Sequence, residues 1–454
     1  MKPSSQHSVT FWEAFRVWVR VALLSFGGPA GQIAVMHRIL VEEKRWVSES
    51  RFLHALNYCM LLPGPEAQQL ATYIGWLLHR TPGGLVAGSL FVLPGFLSIL
   101  ALSILYAVYQ KTELVQGLFF GLKAAVLAVV LEAVIRIGKR VLKNEVMLAL
   151  STIAFVAIFF FDVPFPVIIL SAGLIGFLGG KIWEEKFCII KVEEKEEGSG
   201  KTKYVITDTI ASHTRPSWGR AFRVLAIWLI LWFSPLAALA IGLGGDHVLV
   251  KEGVFFSKAA VVTFGGAYSV LAYIAQEAVK THGWLLPGEM LDGLGMAETT
   301  PGPLIMVVQF VAFLGAFRNP GSFDPLTAGI LGSLITTWVT FTPCFLWIFL
   351  GAPYIEHLRG NKLLTSSLST ITAAVVGVIL NLAVWFFLHV IFGELREAYP
   401  WGMRLLIPEW DTFRWAPFVI AAGAFLALFR FKQGMIRVLA TSTVIGLIYY
   451  AFWG

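Results

Sequence analysis

The chain has 454 residues, of which 57% are hydrophobic and only 14% are charged, and a soluble domain does not need so much apolar sequence. The formal charge of +7 does not call for a nucleic-acid partner, because Lys and Arg concentrate in short loops, as in membrane proteins. Apolar runs such as 84–109 and 365–392 exceed the roughly 20 helical residues that cross a bilayer. These runs do not alternate in polarity, which argues against a β-barrel. The composition therefore predicts an all-α polytopic membrane protein.

Thirteen apolar segments are predicted to cross the membrane as helices. The first half contributes six, at 10–28, 51–79, 84–109, 117–138, 146–161 and 163–181. A lone span is predicted at 221–243. The second half contributes six more, at 254–275, 288–317, 325–351, 365–392, 415–430 and 434–452.

The two halves are an internal repeat. Ser25–Gly28 (Ser-Phe-Gly-Gly) recurs as Thr263–Gly266 (Thr-Phe-Gly-Gly), and the Pro-Gly-Pro of 63–65 recurs at 301–303. Both matches share an offset of 238 residues, as does the pair Trp46 and Trp284. The offset then rises to 249, where Pro94–Leu97 matches Pro343–Leu346. The additional residues are expected in a longer loop near 318–322.

These features divide the chain into four parts. We predict a first repeat at 1–181, a polar cytoplasmic linker at 182–220, a connecting helix at 221–248 and a second repeat at 249–454. The linker is rich in Glu and Lys and cannot form a core. Seven predicted spans separate equivalent positions of the repeats, and this odd number gives them opposite orientations in the membrane.

The distribution of positive charge places the N-terminus in the cytoplasm and the C-terminus in the periplasm. The basic loop at 136–143 and the linker then lie inside. One loop disagrees, since Arg38, Lys44, Arg45 and Arg51 would lie outside. A segment at 30–45 that enters the membrane and returns would remove this disagreement.

Both repeats place Gly-Gly near the end of an apolar helix and Pro-Gly-Pro inside one. Proline lacks a backbone N–H and glycine accepts unusual dihedrals, so the helix is expected to break or to turn back as a re-entrant hairpin. Broken backbone at membrane depth must be buried or line a polar cavity, and half-helix N-termini there bind anions. A simple proline kink is the alternative. The predicted binding residues at the breaks are Ser25, Gly27, Gly28, Pro63, Gly64, Pro65, Thr263, Gly265, Gly266, Pro301, Gly302 and Pro303.

Arg20 and Lys258 occupy the same repeat position, seven residues before the first glycine of each Gly-Gly. Seven residues are about two helical turns, so each cation shares a face with its break. The pair is predicted to attract and neutralise a dianion. The alternative is a side chain that extends to the membrane interface, and Lys258, which apolar residues surround, fits this alternative less well than Arg20 does.

Acidic and hydroxyl side chains flank the two Pro-Gly-Pro tripeptides unequally. Glu66 directly follows the first tripeptide, whereas Leu304 stands at the equivalent place in the second. Glu298, Thr299 and Thr300 instead precede the second tripeptide. We predict proton coupling at Glu66 and Glu298, with helix capping as the alternative for Glu66, and donation from both threonine hydroxyls to an oxyanion.

Together these segments resemble the long-chain chromate ion transporter family. The resemblance is carried by Ser25–Pro29, Leu40–Trp46 and His54–Ala71, with a shorter match at the second Gly-Gly and Pro-Gly-Pro. It implies two homologous halves of opposite orientation, and chromate efflux across the bacterial inner membrane, driven by the proton-motive force and conferring chromate resistance. The implied partners are chromate, protons, the lipid bilayer and a second copy of the chain in a homodimer.

Two other functions stay open at this point. Sulfate has the shape and charge of chromate, so a sulfate carrier or exchanger is the first alternative. A membrane phosphatase acting on a lipid pyrophosphate is the second, although no Ser, Arg and His cluster follows either Pro-Gly-Pro. The sequence also contains no phosphate-binding P-loop and no Cys or His pattern typical of a metal site, so neither an ATP-driven pump, a metal nor a cofactor is predicted.

Overall fold

Long apolar segments of this chain fold into helices because a helix satisfies the backbone N–H and C=O groups within the segment. The structure, a computed structural model, describes residues 9–188, 205, 217–264, 266–354 and 362–453. Most of the predicted linker and Gly265 lie outside the described residues. The protein is a nearly all-helical, polytopic membrane protein, as the composition predicts.

The helices of the first half and the connecting helix are α1 (Phe11–Leu24), α2 (Gly28–His37, continued by a π-helical segment Arg38–Glu43), α3 (Glu49–Leu61), α4 (Glu66–Tyr109), α5 (Glu113–Val141), α6 (Glu145–Phe161), α7 (Phe165–Ile182), α8 (Glu184–Phe187) and α9 (Trp218–Leu243).

The elements of the second half are α10 (Val248–Val262), α11 (Ala267–Gln276, continued by a π-helical segment Glu277–Thr281), α12 (Glu289–Thr299), a 3-10 turn (Leu304–Met306), α13 (Val307–Arg318), α14 (Pro325–Gly351), α15 (Lys362–Ile391), β1 (Leu395–Ala398), β2 (Leu405–Pro408), α16 (Trp415–Phe429) and α17 (Met435–Trp453). Strands β1 and β2 pair antiparallel, with Leu395 opposite Pro408.

Seven helices of the described chain are long and apolar enough to cross a membrane. They are Glu66–Tyr109, Glu113–Val141, Phe165–Ile182, Trp218–Leu243, Pro325–Tyr354, Lys362–Ile391 and Met435–Trp453, and Glu145–Phe161, Leu304–Arg318 and Trp415–Phe429 are shorter apolar helices.

The segment 10–28, predicted as a span, is instead the first arm of a helical hairpin. Helix α1 has 14 residues and so is about 21 Å long, less than the ~30 Å of hydrocarbon. The chain reverses after Leu24, and Nζ of Lys44 at the end of the returning arm lies 3.5 Å from Oε1 of Glu13. The positive φ of Gly27 (81°) and Gly28 (70°) permits the reversal.

The segment 51–79 is likewise a hairpin rather than a span. Helix α3 ends before Pro63 and α4 begins after Pro65, and the rings of Tyr58 and Tyr73 pack 5.7 Å apart across the turn. Helix α4 bends sharply at His79 and Arg80, where the chain turns back again. Its long remaining part then crosses toward Tyr109.

The second half contains two equivalent hairpins, in place of the predicted spans 254–275 and 288–317. Helices α10 and α11 pack through Phe255 and Tyr273, whose ring centroids are 5.4 Å apart. Helices α12 and α13 pack so closely that a Cβ on Gly293 would lie 2.5 Å from Cδ1 of Phe310. The remaining nine predicted spans coincide with α5–α7, α9, α14–α17 and the long part of α4.

The last helices of each half pack on the other half. Helix α5 lies against α16 and α17, and α15 lies against α6 and α7. Small residues allow these contacts, as is usual between helices in a membrane. For example, Gly121 and Gly446 meet backbone to backbone, and Gly377 meets the backbone of Ser151. The halves are therefore interleaved rather than side by side.

Candidate functional site

The tips of the four hairpins are non-helical because their sequences cannot continue a helix. Backbone dihedrals leave the helical region between Leu24 and Gly28, between Leu61 and Glu66, after Val262 and after Thr299. The helical segments that restart after each tip, α2, α4, α11 and the 3-10 turn at Leu304, have no side-chain N-cap. Their first backbone N–H groups are therefore available to a ligand.

Backbone hydrogen bonds join each Pro-Gly-Pro to the Gly-Gly tip of the opposite half. The N–H of Gly302 donates to the carbonyl of Ser25 at 2.9 Å, and the N–H of Gly64 donates to the carbonyl of Thr263 at 2.8 Å. We call the Ser25–Gly302 junction the first crossing point and the Thr263–Gly64 junction the second crossing point. The repeat motifs of the sequence thus meet in space as crossed pairs.

A further repeat motif supports each crossing point from behind. Gly95 of α4 lies against the second tripeptide, where a Cβ on Gly302 would be 2.8 Å from Cα of Gly95. Cys344 of α14, at the matching repeat position, lies against the first tripeptide, where a Cβ on Gly64 would be 2.8 Å from its Sγ. Only glycine fits at Gly64 and Gly302, whose φ values are 119° and 102°.

A carboxylate faces the Gly-Gly tip at both crossing points. A Cβ on Gly28 would lie 3.8 Å from Oε2 of Glu298, and a Cβ on Gly266 would lie 3.5 Å from Oε1 of Glu66. Glu298 and Glu66 therefore occupy matching places in space at the two crossing points. The sequence offset of 238 hides this, since it aligns Glu66 with Leu304.

Glu298 is held by a tyrosine that the sequence does not single out. The hydroxyl of Tyr268 donates to Oε1 of Glu298, and Glu298 is only 1% exposed. Its Oε2 is buried without a hydrogen-bond partner within the described part of the chain. A buried carboxylate oxygen near the N-terminus of α2, with no hydrogen bond from a described residue, is suited to gain or lose a proton.

Two buried glutamines also complete the crossing points. Nε2 of Gln32 donates to the carbonyl of Gly302 at 2.6 Å, and Nε2 of Gln69 donates to the carbonyl of Pro63 at 2.7 Å. Both satisfy carbonyls that the tripeptides leave without a helical partner. An amide side chain in an otherwise apolar helix is the sequence signal that could have identified them.

The predicted hydroxyl donors are engaged within their own helices. Oγ of Ser25 donates to the carbonyl of Val21, and Oγ1 of Thr263 donates to that of Ala259, each at 2.6 Å. The hydroxyls of Thr299 and Thr300 both donate to the carbonyl of Met296. A hydroxyl has one proton, so these side chains donate to an anion only after rotation.

The structure pairs one predicted cation with an acidic side chain and leaves the other exposed. Arg20 is paired with Glu43, with Nη1 and Oε2 2.6 Å apart, and its side chain is 48% exposed. Lys258 is exposed on α10 and has no ion pair among the described residues. Neither is joined by a hydrogen bond to a described residue of either tip.

Comparison with known proteins identifies the family. A sequence model described as "Chromate transporter" matches residues 12–177 and 251–447. The chain belongs to the chromate transporter family. Each matched segment contains one Phe-Gly-Gly and one Pro-Gly-Pro, so the family region includes both crossing points.

Curated relatives of this chromate transporter family member cover most of the chain. A chromate transport protein of Pseudomonas aeruginosa is 30% identical over 82% of this chain and 80% of its own length. A chromate transport protein of Cupriavidus metallidurans is 28% identical over 80% of this chain and 79% of its own. An uncharacterized transporter of Methanocaldococcus jannaschii is 25% identical over 96% of this chain and 93% of its own. No solved structure matches the chain.

The close packing around Gly64 and Gly302 predicts that adding a methyl group at either position destabilises the protein. Gly64→Ala and Gly302→Ala should each lower the thermal midpoint of the detergent-solubilised protein, because the new methyl overlaps Cys344 or Gly95. Gly402→Ala is the matched control, since Gly402 also has positive φ (79°) but no atom within 4 Å. We expect the first two to cost about 1–3 kcal/mol more than the control. Equal losses in all three variants would mean that backbone strain alone acts.

Proposed function

We propose that this protein is a secondary transporter that exports chromate from the bacterial cytoplasm, is driven by the proton-motive force and confers chromate resistance. The observation that carries this proposal is the pair of crossing points, each with uncapped helix N-termini and a facing carboxylate. Backbone N–H groups at helix N-termini are suited to a tetrahedral oxyanion. The names of the two bacterial relatives at 28–30% identity support chromate as the substrate.

The charge of chromate supports export as the direction of transport. Moving one charge across 100 mV is worth about 2.3 kcal/mol. A dianion that leaves a cell with a negative interior therefore gains roughly 4–5 kcal/mol per 100 mV. Export is downhill without a co-substrate, whereas import would need several cations.

We infer that the repeats at 1–181 and 249–454 have inverted topology in the inner membrane, with a cytoplasmic N-terminus and a periplasmic C-terminus. The sequence alone would place the basic loop at 38–51 outside, against the usual distribution of positive charge. The first hairpin removes this conflict, because the contact between Lys44 and Glu13 puts that loop on the same side as the N-terminus. Counting each hairpin as no span leaves five full spans between equivalent positions, which is still an odd number.

Reporter fusions test the inverted topology. Fusions after Lys143 and after Arg396 should report opposite sides of the membrane, with Lys143 cytoplasmic. The two positions lie at the ends of α5 and α15, which the repeat alignment makes equivalent. Activity of the same reporter at both positions would contradict the inverted arrangement.

The two carboxylates suggest how protons enter the cycle. In the described structure, Glu298 and Glu66 face the helix N-termini that an oxyanion would use. An ionised carboxylate there competes with chromate for the N–H donors and repels its charge. A protonated carboxyl does neither, so loading the anion favours the uptake of a proton. This uptake links the movement of chromate to the movement of protons.

Uptake of labelled chromate into inverted membrane vesicles tests the function directly. Vesicles that contain the protein should accumulate chromate faster than vesicles without it, and excess sulfate should not abolish the difference. Complete competition by sulfate would favour a general tetrahedral-oxyanion carrier. Release of phosphate from a lipid pyrophosphate by the purified protein, without chromate uptake, would favour the phosphatase alternative.

Glu66→Gln and Glu298→Gln test the proton exchange. Each variant should still bind chromate, because a neutral amide does not repel the anion. Removing one of two titrating carboxyls should reduce the slope of transport rate against pH by about half. The measurement is vesicle uptake over a pH series, normalised to folded protein.

Glu113→Gln is the control, because Glu113 is also an acid in the first turn of a helix but is exposed. It should leave the pH response unchanged. If the Glu66 and Glu298 variants only lose stability and keep the full pH response, the carboxylates are helix caps and the coupling role is wrong.

A further inference from the structure

A cavity outside the crossing points lies at the end of the molecule opposite the N-terminus. It occupies about 280 Å³ between α4, α5, α12, α15 and the start of α16, and we call it the distal cavity. The residues that bear on its chemistry are Tyr106, Gln110, Lys123, Asp292, His389 and Arg414. The long part of α4 begins at Arg80. This start lies near the N-terminus of the chain, because His79 contacts the carbonyl of Val9. Tyr106 lies 26 residues further on, which is about 39 Å along the helix.

The charges around the distal cavity leave it with an excess of positive charge. Nζ of Lys123 lies 3.1 Å from Oδ2 of Asp292, which balances one cation with one anion. Glu289 beside them is neutralised by Arg318, through two hydrogen bonds of 2.7 Å. The guanidinium of Arg414 has no ion pair among the residues that the structure describes, so one cation is uncompensated.

Asp292 and Lys123 both retain hydrogen-bonding capacity. Oδ2 of Asp292 accepts from the hydroxyl of Tyr106 at 2.8 Å, while Oδ1 is buried and has no partner in the described part of the chain. An ammonium group has three N–H donors, and Asp292 uses one of those of Lys123. The remaining donors of Lys123 and the fork of Arg414 are suited to the oxygens of a tetrahedral anion.

Helix α12 connects the distal cavity to the first crossing point. Asp292 lies near its start, and Glu298 lies six residues later, about 9 Å along the axis. Gly295, between them, packs against Leu122, the neighbour of Lys123. Residues of the distal cavity and of the first crossing point therefore lie on one helix, about two turns apart.

The repeat does not duplicate this arrangement at the other end of the molecule. The offset of 249 places Thr372 at the position of Lys123, and the offset of 238 places His54 at the position of Asp292. The ion pair is therefore specific to the distal end. Under the proposed topology the distal end is periplasmic, which is where an exported anion arrives.

We propose that the distal cavity is a second oxyanion site, at which Lys123 and Arg414 receive the exported dianion before its release. This inference rests on the proposed function. Lys123 keeps its contact with Asp292 while its other donors bind the anion, and Arg414 supplies the charge that Asp292 does not cancel.

Vesicle uptake of chromate with four variants tests this site. Lys123→Met and Arg414→Met should each reduce the uptake rate by about tenfold or more, because a charged hydrogen-bond donor is lost. Lys111→Met, in the exposed loop between α4 and α5, is the matched control and should transport at the wild-type rate. All rates are normalised to the folded protein measured by size-exclusion chromatography.

The double variant Lys123→Met/Asp292→Asn separates binding from structure, because it removes the buried carboxylate that Lys123→Met alone leaves unpaired. Uptake that stays low in this folded double variant supports the second site. Wild-type uptake in the double variant, or in Arg414→Met, would overturn it, since the ion pair would then be structural only. If the wild-type protein itself carries neither chromate nor sulfate, the proposed function fails and this inference fails with it.

Discussion

The structure depends on one constraint, which is that backbone groups removed from a helix inside a membrane need partners other than water. Four hairpin tips break the helices, and each break exposes N–H and carbonyl groups. The bonds from Gly302 to Ser25 and from Gly64 to Thr263 satisfy part of this need across the two halves. Each half therefore supplies partners to the tips of the other, and the packing of α5 and α15 on the opposite half brings these partners together.

Sequence reasoning predicts the elements of this site better than their arrangement. The two Phe-Gly-Gly and two Pro-Gly-Pro motifs stand out because glycine and proline interrupt apolar runs, and the structure places their described residues at helix ends. The segments 10–28 and 51–79 are apolar enough to be mistaken for spans, because hydropathy does not reveal that α1 reverses after 14 residues. The crossed pairs join residues 277 and 199 positions apart in the chain, and no local pattern encodes such contacts.

The role of Glu298 shows most clearly what a repeat alignment cannot provide. An alignment compares positions along the chain, and by that measure Glu66 is matched by Leu304. In space, one carboxylate follows its tripeptide and the other precedes its tripeptide, yet each faces the Gly-Gly of the opposite half. The two repeats therefore place a carboxylate at matching positions in space, although these carboxylates do not align in the sequence. The two crossing points still differ chemically, because the hydroxyl of Tyr268 donates a hydrogen bond to Glu298.

The proposed exchange of carboxylate charge for substrate charge follows from the unfavourable free energy of an anion site that holds no anion. Uncapped N–H groups at a buried helix end are unfavourable without an acceptor, and the two carboxylates provide negative charge there when no substrate is present. A dianion carries the same total charge as the two carboxylates together, so it can replace both without changing the charge near the helix ends, provided that the carboxyls become protonated. A monoanion replaces only one of them. Under the proposed exchange, the number of resident carboxylates sets the anion charge that the site accepts, and the backbone N–H groups fit the oxygens.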